Sequence, residues 1–310
     1  MVVVETKVVN DVVETDLTDL REKLKKHGDS VLCVLSCTSC FAPRVPDRVD
    51  VIARMCVESG VGHVINNAYG LQDENVSKMI NKARRKGRVD AIVCSLDKNF
   101  QVPVGSALIV GDPEFVSKVG ADYPGRGSGQ GVVDLWCTFM EMGRIGLGRV
   151  LKDRLDVREY FVGEFEKLAS SHGERVLDTG GNGISYGMTM GGFDNGSVGV
   201  VGSMLFTRCL SGARVVKKGG GKNIGGIEFK GYGSSTDDYH TAYLTAAVGV
   251  GMTRVEVEGF LKRLDKVLKE AKKKDGKRKK GKVEKADDTK AVGEVSWTHE
   301  VHCWLTLLVA

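Results

Sequence analysis

Proline and aromatic residues are scarce in this chain of 310 residues, with five prolines and 6% aromatic side chains. No apolar run reaches the roughly 18 residues that a membrane-spanning helix requires. The opening residues carry acidic side chains early and lack the sustained apolar segment of a secretory signal peptide. Glycine is abundant, at 40 residues, but follows no Gly-X-Y period, which excludes a collagen-like protein. We therefore expect a globular, cytoplasmic protein with no membrane partner.

The net charge of +5 is unevenly distributed along the chain. Residues 271–290 contain ten basic and four acidic side chains, a local charge of +6, so the other 290 residues carry −1. A run of this composition cannot form a packed core by itself, and it either stays solvated or attracts a polyanion. The eight cysteines include Cys33, Cys37 and Cys94 in apolar runs, which indicates buried, reduced thiols in a cytosolic protein.

Short apolar runs alternate with helical patterns in the first third of the chain. The spacing predicts strands at 31–36, 62–65, 91–95 and 104–110, and helices at 47–59 and 72–86. This alternation with short connections predicts an α/β fold with a parallel sheet. Residues 132–171 have the pattern of helices, and residues 198–273 that of an α+β region whose last helix starts at Arg254.

Polar residues follow three consecutive predicted strands: Thr38 and Ser39, then Asn66, then Lys98. Ligands of open α/β sheets bind outside the carboxyl ends of the strands, so these residues predict a pocket for a planar, anionic cofactor. Lys98 is a candidate Schiff-base former, because burial lowers the pKa of an ammonium group and frees the amine as a nucleophile. By spacing alone, an ordinary surface lysine is the alternative.

Six sequence blocks occur in order along the chain: CTSCFAPRVPD at 37–47, NNAYG at 66–70, SLDKNF at 95–100, VPVG at 102–105, YPGR at 123–126 and GSMLFTR at 202–208. Together they closely resemble the O-phosphoseryl-tRNA(Sec) selenium transferase family, the selenocysteine synthase of eukaryotes and archaea. The resemblance implies an α/β fold, the pyridoxal-phosphate-dependent transferase fold of the aspartate aminotransferase type (fold type I). It further implies the C-terminal half of a cofactor-binding large domain at 1–125, a small α+β C-terminal domain at 126–274, and a basic linker and divergent tail at 275–310.

The resemblance also implies a role for each candidate residue. Lys98 matches the family's Schiff-base lysine and is the expected catalytic residue, with Asn66, Thr38 and Ser39 beside it at pyridoxal 5′-phosphate. Asn66 stands where many proteins of this fold carry an aspartate, so we expect a less strongly protonated pyridine ring. The other matches are the substrate-phosphate contact Arg126 and the tRNA contacts Arg85, Arg208 and Lys273. Arginine suits both a phosphoryl group and a guanine edge. We expect no metal.

The family converts O-phosphoseryl-tRNA(Sec) to selenocysteinyl-tRNA(Sec) by eliminating phosphate and adding selenium from selenophosphate. The resemblance therefore implies these two substrates as partners, and a homo-oligomer, which is a tetramer in the family. The family's glycine-rich loop for the cofactor phosphate is not found here, since Gly219–Asn223 lacks the residues and spacing of a P-loop. We therefore expect a fragment without the N-terminal region, which binds the cofactor weakly and turns over little by itself.

Two other functions stay open. A pyridoxal-phosphate-dependent lyase or desulfurase acting on free amino acids would need Lys98 but not the tRNA-matching arginines. A non-catalytic tRNA-binding module would need the arginines but not Lys98. Cys33, Cys37 and Cys40 with His63 suggest a zinc site, but the position of the first two cysteines in or beside a strand makes that interpretation weak.

Overall fold

A computed structural model describes residues 1–122, 125, 127–282 and 306–309. The predicted phosphate contact Arg126 lies outside these residues. The helices are α1 Leu17–His27, α2 Val49–Ser59, α3 Glu74–Lys86, α4 Leu96–Phe100, α5 Pro113–Asp122, α6 Gln130–Ser171, α7 Asn195–Phe206 and α8 Arg254–Lys282. Short 3₁₀ turns occupy Gly28–Ser30 and Gly70–Gln72. None of the helices in the described part of the chain is long and apolar enough to cross a membrane.

The strands form four sheets. They are β1 Val2–Val3, β2 Thr6–Val9, β3 Val12–Thr15, β4 Val31–Cys37, β5 Gly62–Asn66, β6 Ala91–Ser95, β7 Ala107–Gly111, β8 Ser185–Thr189, β9 Arg214–Val216, β10 Lys222–Ile224, β11 Ile227–Phe229, β12 Tyr243–Ala247 and β13 Thr306–Val309. The largest sheet has the order β1-β13-β4-β5-β6-β7, and a three-stranded sheet has the order β8-β12-β9. Two hairpins, β2-β3 and β10-β11, complete the set within the described residues.

The elements from β4 to β6 form where the sequence predicts them, whereas α4 occupies residues for which the sequence predicts no helix, and β7 begins at Ala107 instead of residue 104. The apolar run VLCVLSC forms β4, and α2 ends at Gly60, whose left-handed conformation (φ 68°) suits a residue without a side chain. Asp73 caps the N-terminus of α3, because its carboxylate accepts a hydrogen bond from the amide of Asn75. The last turn of α3 is basic, as the helix dipole favours. Strand, helix and strand thus succeed one another from residue 31 to residue 95, which confirms the α/β prediction.

The expectation of a purely parallel sheet is wrong at its edges. Strands β4, β5 and β6 are parallel, but β7 runs antiparallel to β6, and β13 runs antiparallel to β4. The reason lies in the connection: a parallel crossover needs about a dozen residues or more, whereas the link between β6 and β7 holds only α4 and a short loop. The chain therefore turns back at this edge.

Most of the apolar core in the described residues lies on the large sheet and in the C-terminal region, and a smaller cluster around Val13 and Tyr243 lies apart from both. Helices α1, α2 and α3 pack on β4, β5 and β6 through fully buried residues such as Leu20, Ile52 and Ile65. Helices α6, α7 and α8 enclose β8 and β12, with Phe165 and Leu244 fully buried between them. These two parts agree with the order of regions that the sequence predicts, while the proposed domain boundaries stay a prediction.

Two helices differ in detail from the expected pattern. Helix α6 contains a break at Gly143, whose φ of 54° is not helical, so residues 130–171 form two helical segments in one element. Helix α8 continues through Lys282, past the expected boundary at residue 274 and into the basic run. Lysine and arginine are good helix formers, and they extend a helix whose first turns are already packed.

Candidate active site

The carboxyl ends of the three parallel strands meet at one edge of the large sheet. Cys37, the last residue of β4, lies opposite Asn66, the last residue of β5, and Asn66 lies opposite Val93 of β6. Thr38 and Ser39 follow β4 directly, and α4, which carries Lys98, follows β6 directly. The structure therefore brings the three groups predicted from the sequence to the same edge of the sheet.

Hydrogen bonds fix the two loops that follow β4 and β5. The amide of Thr38 donates to the carbonyl of Asn66 at 2.9 Å, and the Thr38 hydroxyl donates to Asn67 Oδ1 at 2.7 Å. The Ser39 hydroxyl accepts from the amide of Tyr69 at 2.9 Å. Thr38, Ser39 and Asn67 are buried, whereas Asn66 is half-buried. The polar floor of the site is thus held by the protein itself, and Asn66 is its more accessible amide.

A second set of bonds attaches α4 to the same floor. The carbonyl of Ala68 accepts from the amide of Ser95 at 3.0 Å and from Asn99 Nδ2 at 2.8 Å. The Lys98 amine lies 3.3 Å from Ser95 Oγ and 3.3 Å from Asp97 Oδ2. This side chain therefore has hydrogen-bonding partners on its own helical turn.

The expectation that Lys98 is buried is wrong for this chain. Its side chain is 48% exposed, because α4 lies at the open edge of the sheet and both partners of the amine are polar groups on the same exposed turn. Orientation of the amine rests on hydrogen bonds to Ser95 and Asp97 and not on desolvation. An accessible amine of this kind can react with an aldehyde that enters from outside the sheet.

The donor set of this edge fits the reactive end and the ring of pyridoxal 5′-phosphate. A primary amine can bond covalently to the aldehyde carbon, and a neutral amide such as that of Asn66 can hydrogen-bond to the ring nitrogen or the 3′-hydroxyl. The hydroxyl groups of Thr38 and Ser39, which follow β4, are buried and bond to Asn67 and Tyr69. The residues present therefore match the chemistry that such a cofactor requires at its ring and aldehyde.

The side chains of the suggested zinc site are occupied in other ways. His63 is fully buried, with Nε2 2.8 Å from Ser36 Oγ and Nδ1 2.9 Å from the carbonyl of Arg88, and burial holds its pKa below the usual value. Cys40 Sγ donates to the carbonyl of Cys37 at 3.6 Å. Across the described ranges no group of three or more His, Cys, Asp or Glu side chains could hold a metal ion. His63 is thus a satisfied histidine of the core.

Comparison with known proteins identifies the family. The family model of O-phosphoseryl-tRNA(Sec) selenium transferase matches residues 1–269. The enzyme of that name from Dictyostelium discoideum is 39% identical over 287 residues, which cover 86% of this chain and 60% of the relative. The one from Methanopyrus kandleri is 31% identical over 270 residues, covering 86% and 59%. The chain belongs to the O-phosphoseryl-tRNA(Sec) selenium transferase family.

Solved structures agree with this assignment. The crystal structure of an archaeal O-phosphoseryl-tRNA(Sec) selenium transferase superposes with a TM-score of 0.76 at 26% identity and covers 85% of this chain and 58% of that chain. A cysteine desulfurase from Thermococcus onnurineus, at 15% identity, has a TM-score of 0.57 and shows the fold alone. The chain has the fold type I architecture of pyridoxal-phosphate-dependent enzymes. It spans 41% to 60% of the length of the curated family members it matches.

The three cations that resemble tRNA contacts of the family lie in two places. Arg208 follows α7 and pairs with Glu270 on α8, with Nη2 2.7 Å from Oε2. Lys273 is exposed on α8, three residues beyond Glu270 and therefore on the same face of the helix. Arg85 is exposed in the basic last turn of α3. The structure thus places Arg208 beside α8, on which Lys273 lies about one turn beyond Glu270, and it places Arg85 on the helical layer of the large sheet.

Two residues near Lys98 have no sequence signal of their own. Gln72 ends the 3₁₀ turn after β5, and its Nε2 donates to the carbonyl of Lys98 at 2.6 Å. Arg154, in the middle of α6, is 1% exposed and donates to the carbonyl of Gln72 at 2.9 Å. Both contacts join segments far apart in the sequence, which no local spacing reveals. The one feature of the sequence that points to Arg154 is its helical spacing with the apolar Val150, Val157 and Phe161, which places it on the buried face of the helix.

Proposed function

We propose that this chain takes part in the conversion of O-phosphoseryl-tRNA(Sec) to selenocysteinyl-tRNA(Sec). The observation that carries the proposal is the position of Lys98, whose amine lies at the sheet edge where β4, β5 and β6 end, in a chain of this family. In the overall reaction the Cα proton and the phosphate of O-phosphoserine leave. Selenium from selenophosphate then bonds to the β-carbon, a proton returns to Cα, and water takes up the remaining phosphoryl group.

Pyridoxal 5′-phosphate, when bound, supplies the electron sink that makes loss of the Cα proton possible. Lys98 would hold it covalently, with Asn66 at the ring and Thr38 and Ser39 beneath it. Since Asn66 is neutral, it donates or accepts a hydrogen bond without stabilising a charged ring nitrogen as a carboxylate would. This moderate activation suffices for the loss of phosphate, which is a good leaving group.

Lys98 would have a second task in proton transfer whenever its amine is free. Its amine then accepts the proton from the substrate Cα, as a positioned general base. Ser95 Oγ and Asp97 Oδ2, each 3.3 Å from the amine, orient it for this transfer. Arg126 matches the family residue that contacts the substrate phosphate, and a guanidinium fork can bind a phosphoryl group with two parallel hydrogen bonds.

The RNA end of the substrate would bind through Arg208, Arg85 and Lys273. Arg208, able to bond bidentately to a guanine edge, supplies sequence information, while the other two contact phosphates and fix position. In the structure Arg208 holds Glu270. Binding RNA therefore requires that Arg208 exchange a carboxylate for a base edge. We further propose that the protein works as a homo-oligomer in the cytoplasm.

The test is a conversion assay on the chain joined to the part of the Dictyostelium discoideum relative that it does not span. We expect O-phosphoseryl-tRNA(Sec) and selenophosphate to give selenocysteinyl-tRNA(Sec), and Lys98→Ala to abolish it. Unchanged conversion by Lys98→Ala overturns the proposal. Binding of tRNA(Sec) without any conversion indicates a non-catalytic RNA-binding module, and elimination from free amino acids without RNA indicates a lyase or desulfurase.

A further inference from the structure

The short helix α4, which carries Lys98, is not stable by itself. It has a single turn of five residues, and Gln101 after it adopts a left-handed conformation with φ 56°. Isolated helical turns are unstable, and the last carbonyls of any helix have no partner within it. The Lys98 carbonyl is one of these. Its stability therefore depends on a hydrogen-bond donor from elsewhere in the fold.

Packing supplies only part of the missing support. The Phe100 ring meets Phe139 of α6 edge to face, with centroids 5.5 Å apart. Next to it, however, lies a partly open pocket of about 190 Å³ whose walls include Phe100, Leu147 and Val150. Side chains that face an open pocket make fewer dispersion contacts than side chains in a filled core. The α6 side of α4 is thus only partly packed.

Gln72 supplies the donor that α4 lacks. Its Nε2 donates to the Lys98 carbonyl at 2.6 Å, while its Oε1 accepts from the amide of Val250, just beyond β12, at 2.9 Å. Gln72 is 8% exposed, and each of the two bonds is partly buried. One amide group therefore links the main chain at Lys98 to the loop that follows β12.

Arg154 fixes Gln72 in turn. Its guanidinium donates to the carbonyls of Gln72 at 2.9 Å, Val248 at 2.9 Å and Gly183 at 2.5 Å. A buried cation is costly unless its donors are satisfied, and here three backbone carbonyls satisfy them. The carbonyl of Gln72 and the segment 248–250 are thereby held by the same side chain.

We propose that Gln72, held by Arg154, is a positioning residue that fixes the Lys98 main chain against segment 248–250 and so sets the reach of the Lys98 amine. The inference rests on the proposed function, because it concerns the lysine expected to bind the cofactor. A displacement of about 1 Å at a reacting group can cost about a hundredfold in rate. A single hydrogen bond at the end of one helical turn is therefore enough to matter for the chemistry.

The experiment uses the whole chain with Gln72→Leu, which removes both bonds, and Gln72→Glu, which keeps the acceptor for Val250 but loses the donor to Lys98. Amide hydrogen exchange is measured in segments 96–101 and 248–252. A second readout is the rate at which added pyridoxal 5′-phosphate becomes bound to Lys98, trapped by borohydride and located by peptide mapping. Ser197→Ala, which removes a buried hydrogen bond to Asp275 between α7 and α8, is the matched control.

We expect at least about fivefold faster exchange in segment 96–101 for both Gln72 variants, since each loses a net hydrogen bond there. Only Gln72→Leu should also expose segment 248–252. Trapping at Lys98 should slow in both variants and stay unchanged in Ser197→Ala. The inference is overturned if segment 96–101 of Gln72→Leu exchanges at the wild-type rate. It is also overturned if the exchange is faster but pyridoxal 5′-phosphate is trapped at Lys98 at the wild-type rate. If the wild-type protein shows no trapping of pyridoxal 5′-phosphate at Lys98, the proposed function is refuted instead. The exchange rates then still show whether Gln72 supports α4.

Discussion

Removing the carboxylate of Glu270 should strengthen RNA binding by freeing Arg208. The two side chains form a pair at 2.7 Å and are 37% and 28% exposed, so solvent screens much of their attraction. Pairs of this kind contribute about 0.2–1 kcal/mol. RNA must break the pair to reach Arg208, so Glu270→Gln should lower the dissociation constant for tRNA(Sec) by up to about fivefold.

The assay measures dissociation constants for tRNA(Sec) at two fixed salt concentrations, because affinity for RNA depends strongly on ionic strength. Glu258→Gln is the control, since it makes the same change of charge on α8 at a residue that accepts from the Tyr160 hydroxyl at 3.2 Å. Arg208→Ala should weaken binding by about 1–3 kcal/mol if the arginine reads a base.

The double variant Arg208→Ala with Glu270→Gln tests whether the effect of Glu270 on RNA binding depends on Arg208. In Arg208→Ala the additional change Glu270→Gln should have no more effect than Glu258→Gln, because the pair it would break no longer exists. The reasoning is refuted if Glu270→Gln strengthens binding equally with and without Arg208, or if it does no more than the control in the wild-type background. Either result would mean that Arg208 does not leave Glu270 to contact RNA.

Three further predictions concern the ring contact and the core. Asn66→Asp should raise the pKa of the pyridine nitrogen of bound pyridoxal 5′-phosphate, because a carboxylate stabilises the charged ring; an unchanged pH titration of the visible absorbance would contradict this. In the wild-type protein the Asp47 carboxylate lies 3.0 Å from the buried Arg44 guanidinium. Asp47→Asn removes that carboxylate and should therefore lower the free energy of unfolding in urea by about 3 kcal/mol. A loss below about 1 kcal/mol counts against this prediction. Burial holds the pKa of His63 below its unfolded value of about 6.5, so its contribution to stability is present above that pH and is lost as pH falls below it. His63→Gln should flatten that slope of stability against pH, and an equally steep slope in the variant would point to other groups.

The position of the site could be predicted because it depends on local patterns. Largely apolar runs mark β4 and β6, and the pair Val64 and Ile65 marks β5. The polar residues that end or follow these strands must lie at one edge of a parallel sheet. Lys98 and Asn66 were therefore placed correctly without any long-range information. The sequence also carries the signal for the antiparallel direction of β7, because the link after β6 is too short for a parallel crossover. The antiparallel pairing of β13 with β4 joins distant segments, so no local pattern reveals it.

The supporting contacts could not be predicted because they join distant segments. Gln72 reaches Val250, and Arg208 reaches Glu270, through bonds whose partners no periodicity connects. The exposure of Lys98 was predicted wrongly for a similar reason. A residue at a strand end is buried or exposed according to which segments pack over that end of the sheet. Here the amine of Lys98 has Ser95 and Asp97, on its own helical turn, as partners.

We propose above all that the Lys98 amine is the one that binds pyridoxal 5′-phosphate. The direct measurement incubates the chain with the cofactor, reduces it with borohydride and quantifies the label at each lysine by peptide mass spectrometry. We predict that Lys98 is labelled well above exposed lysines such as Lys78 and Lys118, and that Lys98→Arg removes only that peak. Label spread evenly over the exposed lysines, with Lys98 no higher than the rest, would contradict the claim.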